Sequence, residues 1–278
     1  MNDGTGRRAS AARSRHTHRV PASLVRLDAD PRGVARLVLT RPERRNAFDA
    51  ELIAALIDAI RGIDPRTRVV VLSGEGEAFC AGADLTWMKS MTGFGMEQNL
   101  ADSRALAEMF GALDELPMPL IARVQGAALG GGAGLVALAD IAIASTDAVF
   151  GFTEVRLGIV PAVVSPYVVR KIGPARANAL FVTGIRFDAR RAYEIGLVES
   201  VEAPEELDSK LELYVDAVLA GGPTAVRAAK NLVREVAGRP VAEVRDLVVR
   251  RIAELRVSAE GQEGMRAFLE RRPARWDT

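Results

Sequence analysis

The chain has 278 residues, 49% of them hydrophobic and 26% charged, with a formal net charge of +1. These are ordinary values for a globular protein with a sizeable core, and near-neutrality gives no reason to expect a polyanion partner. The lone cysteine, Cys80, excludes an intramolecular disulfide framework, and the two histidines, His16 and His18, lie too near the start for a zinc cluster or a serine triad in the core.

Residues 1–20 carry Arg7, Arg8, Arg13, Arg15 and Arg19 against one acid, Asp3, and no large apolar side chain between Met1 and Val20. A secretory signal needs an apolar stretch, and a transit peptide would show an amphipathic stripe. Neither pattern is visible, so this segment is expected to be a disordered basic tail. No apolar run reaches the ~18 residues of a membrane span. The expected compartment is the cytoplasm.

Val34 to Leu39 reads as a strand. Asp49 to Ile63 spaces Leu52, Ile53, Leu56, Ile57 and Ile60 as one face of a helix, with Asp49 as its N-cap. Arg68 to Ser73 reads as a buried strand and Ala101 to Leu116 as a helix stopped by Pro117 and Pro119. Leu120 to Val124 and Asp140 to Ala144 are two more buried strands, separated by the small-residue run Gly126 to Ala139. Strands alternating with helices predict an α/β class with mostly parallel pairing. From Pro204 onward strands stop, and Leu207–Ala220, Thr224–Ala237 and Val241–Leu269 read as helices. The expected organisation is a tail (1–20), a core (21–203) and a helical C-terminal region (204–278).

Two glycine-rich loops each follow a buried strand. The first runs from Ser73 to Leu85 and ends in Ala81-Gly82-Ala83, with Asp84 as a helix N-cap. The second runs from Val124 to Leu135 and holds three consecutive glycines at the start of a helix. Such loops let a ligand approach backbone N–H groups, and two N–H donors from two loops can hold one developing oxyanion. Taken singly, a glycine-rich turn after a strand is most often only a turn. The strict G-x-G-x-x-G spacing of a dinucleotide site is absent.

Taken together the motifs carry a resemblance. Arg41-Pro-Glu-Arg-Arg-Asn-Ala-Phe48, Ala78-Phe-Cys-Ala-Gly-Ala-Asp-Leu85, Gln125-Gly-Ala-Ala-Leu-Gly-Gly-Gly132, Ala139-Asp-Ile-Ala-Ile-Ala144, Phe150 to Pro161 and Gly264 to Pro273 resemble, in order, the crotonase (enoyl-CoA hydratase/isomerase) family. The resemblance covers about residues 22–276. It implies a spiral of ββα units, a helical C-terminal region used for trimer or hexamer assembly, and a coenzyme A thioester substrate. Coenzyme A belongs to that substrate, so no separate cofactor, metal, nucleic acid or membrane is expected. The resemblance also implies an oxyanion hole from the N–H groups of Ala83 and Gly131. It places the coenzyme A moiety near Arg44, Arg45, Ala47, Ala81 and Asp84. Phe268 and Arg271, from this or a neighbouring subunit, would help close that site.

The acid–base residues depart from the family pattern. Many family hydratases carry two glutamates. Here the first position is Gly134, and the second is kept as Glu154. One carboxyl can still take a proton from water and deliver it to the α-carbon, or move a proton within the acyl chain. Hydration and Δ3,Δ2-isomerisation therefore both remain open, beside a non-catalytic coenzyme A-ester binder. The stretches Cys80 to Met88 and Gly158 to Val169 look like the bacterial 3-methylglutaconyl-CoA hydratases, in which the first glutamate is commonly missing. A second carboxylate on such a substrate would want a partner, and Ser165, Tyr167, Arg170 and Lys171 lie nearby in sequence. Asp84 reads as a cap rather than a catalyst, and Cys80 as a small buried residue.

Overall fold

The computed structural model describes residues 24–277, together with Met1, so the basic tail lies outside the described residues. β1 (Val25–Ala29) and β2 (Val34–Leu39) form an antiparallel pair. β1 was not expected: only Val25 of VRLDA is buried, too few apolar positions for a strand signal. α1 (Ala50–Arg61) starts at Asp49, whose side chain accepts from the Leu52 N–H, and buries the five apolar positions read from the spacing. β3 (Val69–Gly74) runs parallel to β2. α2 (Leu85–Met91) follows the first glycine loop. α3 (Met96–Asp114) begins at Met96, ahead of the expected Ala101, because the Gln98 side chain satisfies the Gly95 N–H and starts the helix early.

β4 (Leu120–Val124), β5 (Ala127–Leu129), α4 (Gly131–Leu138), β6 (Ile141–Ser145) and β7 (Val149–Gly151) come next. α5 (Ser165–Ile172), α6 (Pro174–Thr183), β8 (Arg186–Asp188), α7 (Ala189–Glu194) and β9 (Ser200–Glu202) complete the α/β part. The large sheet has the order β1-β2-β3-β4-β6-β9, parallel from β2 onward, and the small one the order β5-β7-β8. The chain thus alternates between sheets. β4 enters the large sheet and β5 the small one; after α4, β6 and β7 repeat the step. This winding is the spiral of ββα units that the motifs implied, and it stacks the strand ends from which both glycine loops leave.

One face of the large sheet packs against α1, α3 and α4 through Leu37, Leu56, Leu72, Phe110 and Val136. The other face carries Val34, Val69, Val71, Ile121 and Ile143, covered by Leu207, Leu211 and Val215 of α8 (Leu207–Ala220). α8 therefore completes the sheet's second hydrophobic layer. α9 (Pro223–Val236), α10 (Val241–Val257) and α11 (Ala259–Leu269) follow. The single helix expected over 241–269 is broken at Ser258, which is extended (ψ 155°) and caps α11 by accepting from the Gly261 N–H. Among the described residues no helix is long and apolar enough to cross a membrane.

Candidate active site

The two glycine loops are zipped together by backbone hydrogen bonds. The Cys80 N–H donates to Ala127 O at 3.0 Å, and the Leu129 N–H donates to Cys80 O at 3.0 Å. This forms a parallel bridge between Cys80 and Ala128. Ala83 and Gly131 each lie three residues beyond their member of that bridge. A second bridge, Phe48 with Ala83, uses the Phe48 N–H and the Asp84 N–H and leaves the intervening Ala83 N–H without a partner among the described residues. The Gly131 N–H, in the first turn of α4, is likewise unpaired there.

Glycine at the second loop is a requirement of contact. A Cβ on Gly132 would stand 2.2 Å from Cys80 O, and one on Gly131 would stand 2.8 Å from the Phe48 ring. Gly130 has φ +52°, and a Cβ there would stand 3.1 Å from Glu154 Oε1. The Glu154 carboxyl therefore lies directly against the start of α4. Glu154 itself opens a short 3-10 turn, Glu154–Leu157. Its Oε2 is buried with no hydrogen-bond partner among the described residues. Burial pushes its pKa up, and its own backbone N–H offsets this only in part. Apolar Leu85, Leu157, Ile159 and Val160 are exposed beside these elements in the chain.

Asp84 is 5% exposed and caps α2 by accepting from the Thr86 and Trp87 N–H groups. Arg44 Nη1 donates to both Asp84 carboxylate oxygens, at 3.2 and 3.0 Å, and to Thr86 Oγ1. Burial raises the Asp84 pKa, but Arg44 and the two N–H groups outweigh it and hold the group below its usual value. The cap reading of Asp84 thus holds. Arg44 already has a partner in the chain, with only Nη1 engaged. Arg45 is exposed with φ +52°, and its carbonyl accepts from the Ala81 N–H. Ala47 is buried beside Phe48. Phe268 is 83% exposed, and α11 packs on α9 and α10. Among the described residues no hydrogen bond or ion pair joins Phe268 or Arg271 to the other site residues.

Three residues missed from the sequence hold this geometry. Asn46 is fully buried at φ +53°; its amide donates to Glu75 O and Ala78 O, and its Oδ1 accepts from the Arg41 N–H. Gln125 donates to Gly74 O and Gly76 O. Phe48 backs Gly131. An asparagine at the end of an arginine-rich turn was the available signal for Asn46, since asparagine tolerates the left-handed region. Of the residues near Gly158–Val169, Arg170 pairs with Asp114, Lys171 donates to Ala139 O, and the Ser165 hydroxyl donates to Ala162 O. Tyr167 stacks on Phe110 with ring centroids 5.6 Å apart. Cys80 is fully buried, and burial pushes its thiol up to about 12, so it is inert.

These loops, the spiral and the desolvated Glu154 carboxyl define a class. The sequence profile of the enoyl-CoA hydratase/isomerase family matches residues 29–278, and the chain belongs to that family. It is 32% identical to a crotonyl-CoA hydratase of Syntrophomonas wolfei, over 87% of this chain and 93% of that one. It is 34% identical to an enoyl-CoA isomerase/hydratase of Mycosarcoma maydis, over 88% of this chain and 92% of that one. A crystal structure of an enoyl-CoA hydratase from Shewanella pealeana superposes with a TM-score of 0.86 at 38% identity, covering 91% of this chain and 96% of that one.

Proposed function

We propose that this protein adds water to an α,β-unsaturated acyl-CoA thioester, with one carboxyl performing both proton transfers. The observation that carries the reading is the juxtaposition of two unpaired N–H groups, on loops zipped at Cys80 and Ala128, with a desolvated glutamate against the second loop. In this mechanism the thioester oxygen accepts from the N–H groups of Ala83 and Gly131. The ionised Glu154 takes a proton from water as the water oxygen bonds to the β-carbon. The C=C electron pair moves toward the thioester, giving an enolate whose oxygen the two N–H groups stabilise. Removing one such donor typically costs ~10²–10³ in rate. Glu154 then returns its proton to the α-carbon, so one water is added and the carboxylate is restored.

The acyl group that fits best is 3-methylglutaconyl. The supporting features are the stretches Cys80 to Met88 and Gly158 to Val169 and the absence of a second carboxyl at Gly134, which would repel an acyl carboxylate. Arg170, Lys171 and Ser165 are engaged within the chain, and Tyr167, the remaining candidate for that carboxylate, lies under Arg170 and in the field of Asp114 and Glu115. Arg45, Ala47, Ala81 and the free nitrogens of Arg44 would meet the coenzyme A moiety, and Asp84 would shape that wall. Phe268 and Arg271 of a neighbouring copy would close it. The exposed apolar side chains Val249, Ile252 and Val257 of α10 and Met265 and Phe268 of α11 suit assembly of a homotrimer or hexamer.

The alternative is double-bond migration, which needs the same enolate and the same single base. A panel of purified methylglutaconyl, crotonyl and 3-enoyl CoA esters decides between them. The expected result is water uptake, with the highest kcat/KM for the methylglutaconyl ester. Faster isomerisation of the 3-enoyl ester would replace hydration with isomerase activity.

A further inference from the structure

Gly134 is buried one turn into α4, its N–H donating to Gly130 O at 3.0 Å. One helical turn places its Cα about 6 Å from Gly130, the residue against the Glu154 carboxyl. The space beside Gly134 is already filled. A Cβ there would stand 2.3 Å from Val164 Cγ1, 2.8 Å from Val164 Cβ and 3.1 Å from Phe110 Cε1. Val164 is itself buried, at the residue before α5, and Phe110 is fully buried against Tyr167.

We propose that Val164 is a specificity-determining residue of this enzyme: its side chain fills the place where a side chain at 134 would begin, and so holds the site to the single carboxyl of Glu154. The inference rests on the hydratase reading above and deepens it. The one-carboxyl condition is a packed state rather than a vacancy. Apolar Val164 and Phe110 seal the turn of α4 next to the reacting carboxyl, and an acyl group bearing its own negative charge meets no second one there. Val164 acts through the space at 134 and is a positioning residue.

The contacts dictate the test. Alanine at 164 would retain the Cβ at 2.8 Å, so only glycine removes the overlap with residue 164. The variants are Gly134→Ala, Val164→Gly, their double, and Gly134→Glu combined with Val164→Gly. Gly134→Ala should lower Tm by more than about 5 °C; Val164→Gly leaves a cavity and lowers Tm by itself, and the loss in the double should fall short of the sum of the two single losses by at least half of the Gly134→Ala loss. In Gly134→Glu with Val164→Gly, the kcat/KM ratio of crotonyl-CoA to glutaconyl-CoA should rise at least about tenfold over wild type. The pH profile of kcat/KM should change from a single acid limb to a bell. Gly134→Ala with wild-type Tm would overturn the packing claim. A folded Gly134→Glu, Val164→Gly variant with an unchanged ratio and a single limb would overturn the specificity claim. If the wild type hydrates none of the esters, the hydratase reading fails and the specificity claim with it. The Tm cycle then still decides whether Val164 blocks position 134.

Discussion

The start of α4 and the outer face of α10 and α11 are opposite solutions to burial. At α4, Gly131, Gly132 and Gly134 have no side chain because Phe48, Cys80 and Val164 already occupy the space, and the chain fills that space by itself. On α10 and α11, side chains are large and apolar, yet Val249, Ile252, Val257 and Phe268 remain exposed within one chain. The first region is specified by what is absent from it and the second by what it still lacks. In the proposed enzyme the chemistry sits in the self-sufficient region, and the subunit contacts fall to the other.

The sharpest test of the first region is Glu154→Gln. It should lower kcat/KM by ~10²–10⁴-fold with little change in CoA-ester affinity, because the amide keeps the shape and cannot take the proton. The wild-type pH profile belongs to the same test. The ionised carboxylate is the active form, and burial raises its pKa, so activity should fall as pH drops through a value above the ordinary glutamate range. A limb at or below that range would deny the desolvated site. Next in size is Gly132→Ala, whose Cβ would overlap Cys80 O. It should destabilise the chain by about 3 kcal/mol in chemical denaturation, as overpacking against backbone does.

Substitutions in the second region should spare the fold and change the assembly. Val249→Asp with Ile252→Asp should convert the protein to a species of 29.8 kDa in sedimentation, with helical content retained. Unaltered sedimentation would show that this face is not a subunit contact. The smallest effect is a control glycine. Gly111 of α3 has open space where its Cβ would lie. Gly111→Ala should therefore stabilise by about 0.5–1 kcal/mol, the helix propensity gain alone. A loss there as large as at Gly132 would erase the distinction between glycines required by contact and glycines that are not.

The contrast also explains what was legible in the sequence. α1 was readable because its five buried positions share a helical period, and Asp84 because a cap acts within three residues of itself. Glu154 was legible only through the motif around it, since nothing in its own neighbourhood reports that Oε2 is buried. β5, β7 and β8 are three residues each, too short to show alternation. The break at Ser258 had a signal, a serine three residues before Gly261 with Glu260 in the first turn, but the apolar spacing across it masked the stop. Val164 could not be read at all. Its contact with Gly134 joins two elements through tertiary packing, and neither residue type announces it.

The pairing of Cys80 with Ala128 has a consequence for how such a site can change over generations. In the proposed mechanism the donors at 83 and 131 are main-chain hydrogens, and every residue type except proline supplies one. Substitution there can add bulk or shift a turn, but it cannot neutralise or reverse the dipole. The carboxyl at 154, by contrast, is lost with any residue but aspartate. On that mechanism mutational drift acts unevenly: it can erase or relocate acids and reshape the acyl wall while the main-chain donors themselves persist. New reactions can be built around an enolate whose stabilisation no side chain encodes.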